Sequence, residues 1–432
     1  MIPREKLRAQ RRELVGAWFD TRALPEGGDW ITKARRSALD RLREIGLPTK
    51  RDEYWRYTDP RRLTAPDASA AALFGAADEA PVFDAIDRVN LVFVDGKLDS
   101  AASDALDLEG LEVQTLGEAA ATDLHWAREF YGKLETRGQS PVERALATLN
   151  TAYARDGLLI RVTGKLSKPI ALTYRRESAD ADAMLHHVIR VEPEAEVTLL
   201  EHGPVAARFN QVIEADIAEG ATLHHVRVQG RDHERVGSVH VFAQLGAQSR
   251  FRSFVLTANG ALIRNEAVVW LDGERGSAHV AGATVGDGAF HHDDTVFITH
   301  RAPDCESRQV FKKVLRHGAV SVFQGKILVE RAAQLTDGYQ ISQALLLDED
   351  AQFLAKPELE IYADDVKCSH GSTSGEIDPT QLFYLRSRGL PEHAAKLLLV
   401  LSFLAEALEE VADPVLAGDL RDRLEGWLKR RA

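Results

Sequence analysis

The stretch Asp364-Asp365-Val366-Lys367-Cys368-Ser369-His370-Gly371 carries the sharpest chemical signal in the chain. In an extended backbone alternate side chains share a face, so Cys368 and His370 project together with Val366 and Asp364. A thiolate beside an imidazole suits soft or borderline metals such as iron and zinc. Lys367 next door is expected to favour the thiolate. Two ligands do not close a four-coordinate site, so the remainder must come from elsewhere in the chain or from another subunit. A nucleophile with its base fits less well, because i and i+2 side chains on a strand run side by side and do not face each other. Histidines also pair at His186-His187, His224-His225 and His291-His292, the last followed by Asp293-Asp294. Alternation groups His187 with Leu185, Ile189 and Val191, and His224 with Val226 and Val228. It sets His186 and His225 beside Arg190 and Arg227 on the opposite faces. No such pair chelates by itself, and these histidines read as satisfied within or upon a β-stack. His291 to Asp294 has the content for a divalent ion but reads as a solvated turn. Cys305 sits in Ala302-Pro303-Asp304-Cys305-Glu306, a turn-like context without a neighbouring histidine, and reads as no ligand.

The elements that must position these residues fall into three sections. The first reads as helical and basic, with Arg4, Lys6, Arg8, Arg11 and Arg12 leading to the apolar patch Leu14, Val15, Trp18 and Phe19. A second helix carries Ala38, Leu39, Leu42 and Ile45 and stops at Gly46 and Pro48. Three aromatics among charges follow at 50–58, which reads as a hook docking this module on the body. Residues 64–80 read as a linker. Asn90 to Val94 reads as a strand, and Pro141 to Tyr153 as a helix. From Leu158 to about Ala363, short runs rich in Val, Ile, Leu and Thr recur between Gly, Asp, Pro and Glu turns, the pattern of an all-β segment. They lie at 158–162, 170–174, 185–191, 197–200, 212–217, 223–228, 239–243, 251–256, 267–271, 320–322 and 327–329. A turn followed by alanine recurs at 195, 221 and 247, with a similar small-residue turn at Gly276-Ser277. Such a period fits stacked coils of a parallel β-helix better than a sandwich, with a jelly roll as the other possibility. The end of the chain is helical again. Asp378-Pro379 and Asp413-Pro414 are start signals, Pro391 opens the helix between them, and a bundle capping the solenoid end is expected.

Composition bounds the answer further. The 432 residues exceed one ordinary domain, and 44% hydrophobic with 28% charged residues is a globular balance. The net charge of −12 disfavours a protein held on nucleic acid by its global field. Two cysteines are too few for a disulfide framework or a self-contained four-cysteine site. The N-terminus lacks a signal peptide's apolar run, and Leu397 to Ala405 is about half of a bilayer span. A cytoplasmic protein without membrane or nucleic-acid partner is expected.

The sequence Pro357-Glu358-Leu359-Glu360-Ile361-Tyr362-Ala363-Asp364-Asp365-Val366-Lys367-Cys368-Ser369-His370-Gly371, followed by Leu382-Phe383-Tyr384-Leu385-Arg386-Ser387-Arg388-Gly389, resembles the SufB/SufD family of iron–sulfur cluster assembly scaffolds. Phe323-Gln324-Gly325-Lys326-Ile327 and Gln340-Ile341-Ser342-Gln343 add to the resemblance. The stretch Glu53-Tyr54-Trp55-Arg56-Tyr57-Thr58 and the lack of any cysteine before 305 favour the SufD branch.

The resemblance implies a right-handed parallel β-helix between helical terminal domains. Residues 1–80 form the N-terminal helical domain and linker, 81–156 lead into the core, 157–375 make the β-helix, and 376–432 the C-terminal helical domain. It further implies a noncatalytic scaffold that pairs with a SufB-type chain as a heterodimer and docks a SufC-type ATPase on the C-terminal helices. Cys368 and His370 then lie at the SufB–SufD joint, His370 the better cluster ligand, and a transient iron–sulfur cluster is shared with SufB. ATP acts only through SufC, since this chain has no G-x-x-x-x-G-K-[ST] loop. A homodimer of the isolated chain and a flavin in the complex stay open. The reading from another class is a β-helix carbohydrate-active enzyme using Asp293, Asp294, Asp364 and Asp365. A third, a histidine metalloenzyme on a jelly roll, needs three convergent imidazoles.

Overall fold

The computed structural model describes residues 4–73, 81–122, 125–230, 234–258 and 260–430. Residues 74–80, the end of the expected linker, lie outside them. Short strands β1 (Val89–Val94), β2 (Lys97–Asp99) and β3 (Leu111–Thr115) precede a long series. That series begins β4 (Leu158–Val162), β5 (Ile170–Arg175), β6 (Asp182–Val191), β7 (Glu196–His202), β8 (Arg208–Ile217) and β9 (Thr222–Gln229). It continues with β10 (Val236–Leu245), β11 (Arg250–Ala258), β12 (Leu262–Leu271), β13 (Ser277–Asp287) and β14 (His291–His300). It ends with β15 (Glu306–Arg316), β16 (Val320–Val329), β17 (Asp337–Leu346), β18 (Gln352–Ile361) and β19 (Lys367–Gly375). Even-numbered strands from β4 to β18 build one sheet, and odd-numbered strands from β5 to β19 the other. Within each, neighbours in the series run parallel and two apart in the chain, so each coil lays one strand on each wall of a parallel β-solenoid. Parallel pairing excludes the jelly roll.

The repeat seen in the sequence is a corner, although its register differs by two residues at the third position. Strand pairing aligns Glu196 with Thr222 and Thr222 with Arg250, so Ala195 stacks on Ala221 and then on Ser249, not on Ala247. The column continues through Gly276, Cys305 and Thr336. Each is preceded by a residue with positive φ: Glu194 at 62°, Gly220 at 68°, Gln248 at 56°, Arg275 at 59°, Asp304 at 57° and Leu335 at 60°. A left-handed residue turns the chain sharply, and a small residue then fits inside the bend. Cys305 is the corner residue of its coil, buried, with Sγ donating to the Gly273 carbonyl at 3.3 Å.

The lumen is packed with side chains such as Leu185, Ile189, Val191, Phe209, Ile213, Val239 and Val269. Both faces of the odd-numbered sheet are buried from β9 to β15, which breaks simple alternation. On β9 the apolar Val226 and Val228 face outward under the C-terminal helices, while His225 and Arg227 point into the lumen. The runs at 320–322 and 327–329 are one strand, β16. His291 to Asp294 is not a solvated turn: it opens β14, and His292, Asp293 and Asp294 are buried.

Helices α1 (Arg4–Thr21) and α2 (Asp29–Ile45) pack Val15, Trp18, Leu39 and Leu42 against Leu146 and Leu149. The short α3 (Arg61–Thr64), α4 (Leu116–Ala120) and α5 (Lys133–Arg137) lead to α6 (Ala145–Tyr153), which carries those leucines and is buried along its whole length. The helix expected from Pro141 thus begins at Ala145. Residues 53–58 form the expected hook. Arg264 of β12 lies 4.3 Å over the Trp55 ring, and Thr58 donates to Asp293 of β14 at 2.6 Å. Gln324 of β16 donates to the Tyr54 carbonyl at 3.1 Å, and the Tyr54 hydroxyl donates to Glu358 of β18 at 2.7 Å. The hook therefore straps four successive strands of one wall, the last coil included.

At the other end of the chain stand α7 (Pro379–Ser387), α8 (Glu392–Leu408) and α9 (Pro414–Arg430). Asp378 and Asp413 cap α7 and α9 as expected, accepting from Thr380 N at 2.7 Å and Val415 N at 2.8 Å. The bundle does not cover the solenoid end. Val400, Leu404, Leu408, Leu420 and Leu424 pack on the flank of the odd-numbered sheet, against Val226, Phe254, Ala283 and Val310. Glu406 and Glu410 of this flank pair with Lys312 and Arg308 on β15. The apolar outer face of that sheet is what draws the helices sideways.

Candidate functional site

With the helices on the flank, the two ends of the solenoid differ. At the start, β3 closes one sheet by antiparallel pairing with β4, and β2 closes the other on β1. At the finish, β18 and β19 are the outermost strands of their sheets, β18 mostly half-buried and β19 largely exposed. Open edges invite pairing, and proteins blunt them with proline and charge. β18 carries Lys356, Pro357, Glu358 and Glu360, whereas β19 reads Lys-Cys-Ser-His-Gly-Ser-Thr-Ser-Gly, a small, polar edge with one charge.

Cys368 and His370 both stand on β19, as the extended reading of this stretch expects. Their in-register neighbours on β17 are Gly338 and Gln340. A Cβ added at Gly338 would lie 3.3 Å from the Cys368 Sγ and 3.5 Å from Ile327 on the opposite wall, so this face looks into the lumen. The two side chains therefore sit at the mouth of the solenoid, Cys368 half-buried and His370 exposed. Lys367 does not favour the thiolate: burial pushes the Cys368 thiol up, and the Asp337 charge adds to the rise. Among the described residues no three His, Cys, Asp or Glu side chains converge as a metal-binding group.

The other candidates are spent elsewhere. His186 bonds Asn150 and Glu214, and His225 bonds Ser253 and Glu201, each within 3.0 Å. Burial raises the Glu201 carboxyl, but Arg227 and His225 outweigh it and hold it below the usual range. Asp293 is bound outside the wall by Arg264 and the hook, while Asp294 faces the lumen and pairs with Lys313 at 2.7 Å. Adjacent on one strand and pointing to opposite sides, they cannot flank one glycosidic bond. Asp365 lies in the corner after β18, where its backbone N–H donates to the Gln334 side-chain oxygen at 3.0 Å.

The buried histidines do set a pH response. Burial pushes His187, His240 and His300 down to about 4, from an ordinary 6.5. A base held neutral in the fold contributes stability that is present above pH 6.5 and lost as pH falls toward 4, because the unfolded chain takes up protons the folded chain refuses. The slope is on the order of 1 kcal/mol per histidine per pH unit within that window. Melting followed by circular dichroism should therefore show the midpoint dropping between pH 7 and pH 5, with His300→Gln flattening the slope. A midpoint indifferent to pH across that range would contradict it.

Sequence reasoning missed two features. One is the open end itself, which depends on what stacks on the last coil. The other is Gln340, which stands in the Gln340-Ile341-Ser342-Gln343 stretch of the resemblance but which no spacing marks as chemistry. The description of the SUF system FeS cluster assembly, SufBD core domain, matches residues 174–403, and that of the SufBD protein N-terminal region matches residues 25–172. An iron–sulfur cluster assembly SufBD family protein of Synechocystis is 30% identical over 411 residues, covering 90% of each chain. The iron–sulfur cluster assembly protein SufD of Escherichia coli is 30% identical over 397 residues, 89% of this chain and 90% of its own. The SufD of Bacillus subtilis is 26% identical over 403 residues, 88% of this chain and 90% of its own.

Proposed function

The chain belongs to the SufBD family of iron–sulfur cluster assembly proteins, and from that premise we propose that it is the SufD-type scaffold of a SufB–SufC–SufD complex. The observation that carries this is the unblunted β19 edge with Cys368 and His370 on its lumen face. A SufB-type chain pairs along that edge by adding a strand and supplies the ligands this chain lacks. The cluster is cargo, held transiently at the joint, with His370 as its ligand from this side and Cys368 beside it. A second copy of the chain can take the same edge when the SufB-type partner is absent.

The scaffold itself carries out no catalysis, and ATP hydrolysis belongs to a SufC-type ATPase. Its dock is α7 with the start of α8. No residue of α7 is buried, Phe383 and Tyr384 are 73% and 56% exposed, and Leu398 joins them on α8. Aromatic residues so exposed on a capped helix suit an interface. No described helix is long and apolar enough to cross a membrane, and we assign the complex to the cytoplasm.

Anaerobic reconstitution with iron and sulfide tests this reading. The purified chain alone is expected to hold no stable stoichiometric cluster, because an under-coordinated centre is open to solvent and chelators. Co-purified with SufB-type and SufC-type partners, it should acquire one. A stable stoichiometric cluster on the isolated chain would overturn the shared site, and failure to associate with the SufB-type chain would overturn the pairing.

A further inference from the structure

Beneath His370 lies a side chain whose hydrogen bonds are unmade. Gln340 of β17 is 0% exposed, yet neither its Nε2 nor its Oε1 has a partner. Among the described residues no other buried side-chain amide has both atoms orphaned. Buried polar groups are almost always paired, so an orphaned one calls for a reason. Its Cα is the direct parallel partner of His370, which puts both side chains on the lumen face. The amide crosses the lumen toward β16, where residue 325 is glycine. A Cβ there would lie 2.1 Å from Nε2, so the missing side chain is what makes room for the amide. One coil earlier Gln309 is anchored, donating to the Lys326 carbonyl at 3.4 Å. The next lumen pair along, Ser342 and Ser372, is self-satisfied at 3.0 Å. Gln340 is thus an unanchored amide one rung inside the open mouth.

We propose that Gln340 is a positioning residue for His370: its carbonyl oxygen accepts the N–H of the ring nitrogen that His370 does not give to a metal. The proposal rests on His370 being a ligand at the joint. An imidazole that binds a metal through one nitrogen presents an N–H at the other, and a carbonyl or carboxylate that takes it fixes the tautomer and raises ligand basicity. Presenting the oxygen to the ring takes a change of side-chain rotamer away from Gly325, which the amide's unmade hydrogen bonds do not oppose.

The test uses the complex with its SufB-type and SufC-type partners, titrated with Co(II) and followed by cobalt absorption, alongside the melting midpoint of the purified chain. Gln340→Leu removes the acceptor at similar volume. It should lower Co(II) affinity by about 10- to 100-fold, while the midpoint stays or rises because a buried orphan is gone. Gln340→Glu keeps an acceptor and should bind within a few-fold of the unaltered complex. Wild-type affinity in Gln340→Leu would overturn the proposal. So would a lowered midpoint with Gln340→Glu failing to restore binding, which would make Gln340 a core residue only. His370→Ala separates the two layers: if it leaves Co(II) affinity unchanged, the ligand assignment fails, whereas a silent Gln340→Leu beside an impaired His370→Ala removes the positioning role alone.

Discussion

Replacing His370 by alanine is expected to abolish cluster assembly while the complex still forms. The side chain is exposed at the solenoid mouth and packs in no core cluster. Its loss therefore leaves the fold, the β19 backbone edge and the α7 face as they were. What it removes is an imidazole from a site to which this chain brings few ligands. Loss of a protein ligand costs at least as much as loss of the group that orients it, which is about 10- to 100-fold in metal affinity. The measurement is cluster content per complex after anaerobic reconstitution, with the complex isolated by size exclusion. Unchanged cluster content would assign His370 to the surface alone. Cys368→Ala is expected to act more weakly, because burial disfavours the thiolate in the unpaired chain.

The second large effect concerns the helices. The pair Phe383→Asp and Tyr384→Asp should abolish association with the SufC-type ATPase and leave SufB-type pairing intact. Both rings are free of the core, and no residue of α7 is buried, so the substitutions do not unfold the flank. Aromatic anchors at interface centres contribute about 2–4 kcal/mol each, roughly 30- to 1000-fold in affinity, and a carboxylate in place of each adds a desolvation cost. Deleting the helices outright is a poorer test. Val226, Phe254, Ala283 and Val310 would be stripped of their cover, and lost binding would then report a damaged sheet. Calorimetry of the double variant against the ATPase decides the matter, and retained affinity would move the dock elsewhere.

The solenoid was legible where lumen residues are apolar and corners are short. Leu158 to Val162 matches β4 residue for residue, and the 26-residue step from Ala195 to Ala221 is a true corner repeat. Alternation grouped the β9 residues as the structure has them, but it does not say which side is inner: helices cover Val226 and Val228 on the outer face, and the lumen takes His225 and Arg227. Strands β13 to β15 were passed over because their lumen positions include Gly282, Thr284, His292, Asp294 and Lys313. These residues look like turn or surface in a single sequence, and only stacked neighbours make them interior. The hook was legible because three aromatics among charges have to be buried somewhere. Its reach to Glu358 on the last coil was not, since the two residues are 304 apart in the chain. The Cys368 and His370 pair was legible as chemistry, but its place at an open end was not. A strand's own residues say which side chains share a face and nothing about whether another strand follows.

The account turns on His370 touching the cluster from this side of the joint. The direct measurement is pulsed electron–nuclear spectroscopy of the reduced, reconstituted complex in which this chain alone carries 15N-histidine. The account predicts a nitrogen hyperfine coupling from the labelled chain that vanishes in the His370→Asn complex, or in any residual cluster formed with His370→Ala. A cluster that forms in full and shows no coupling to the labelled chain would contradict it.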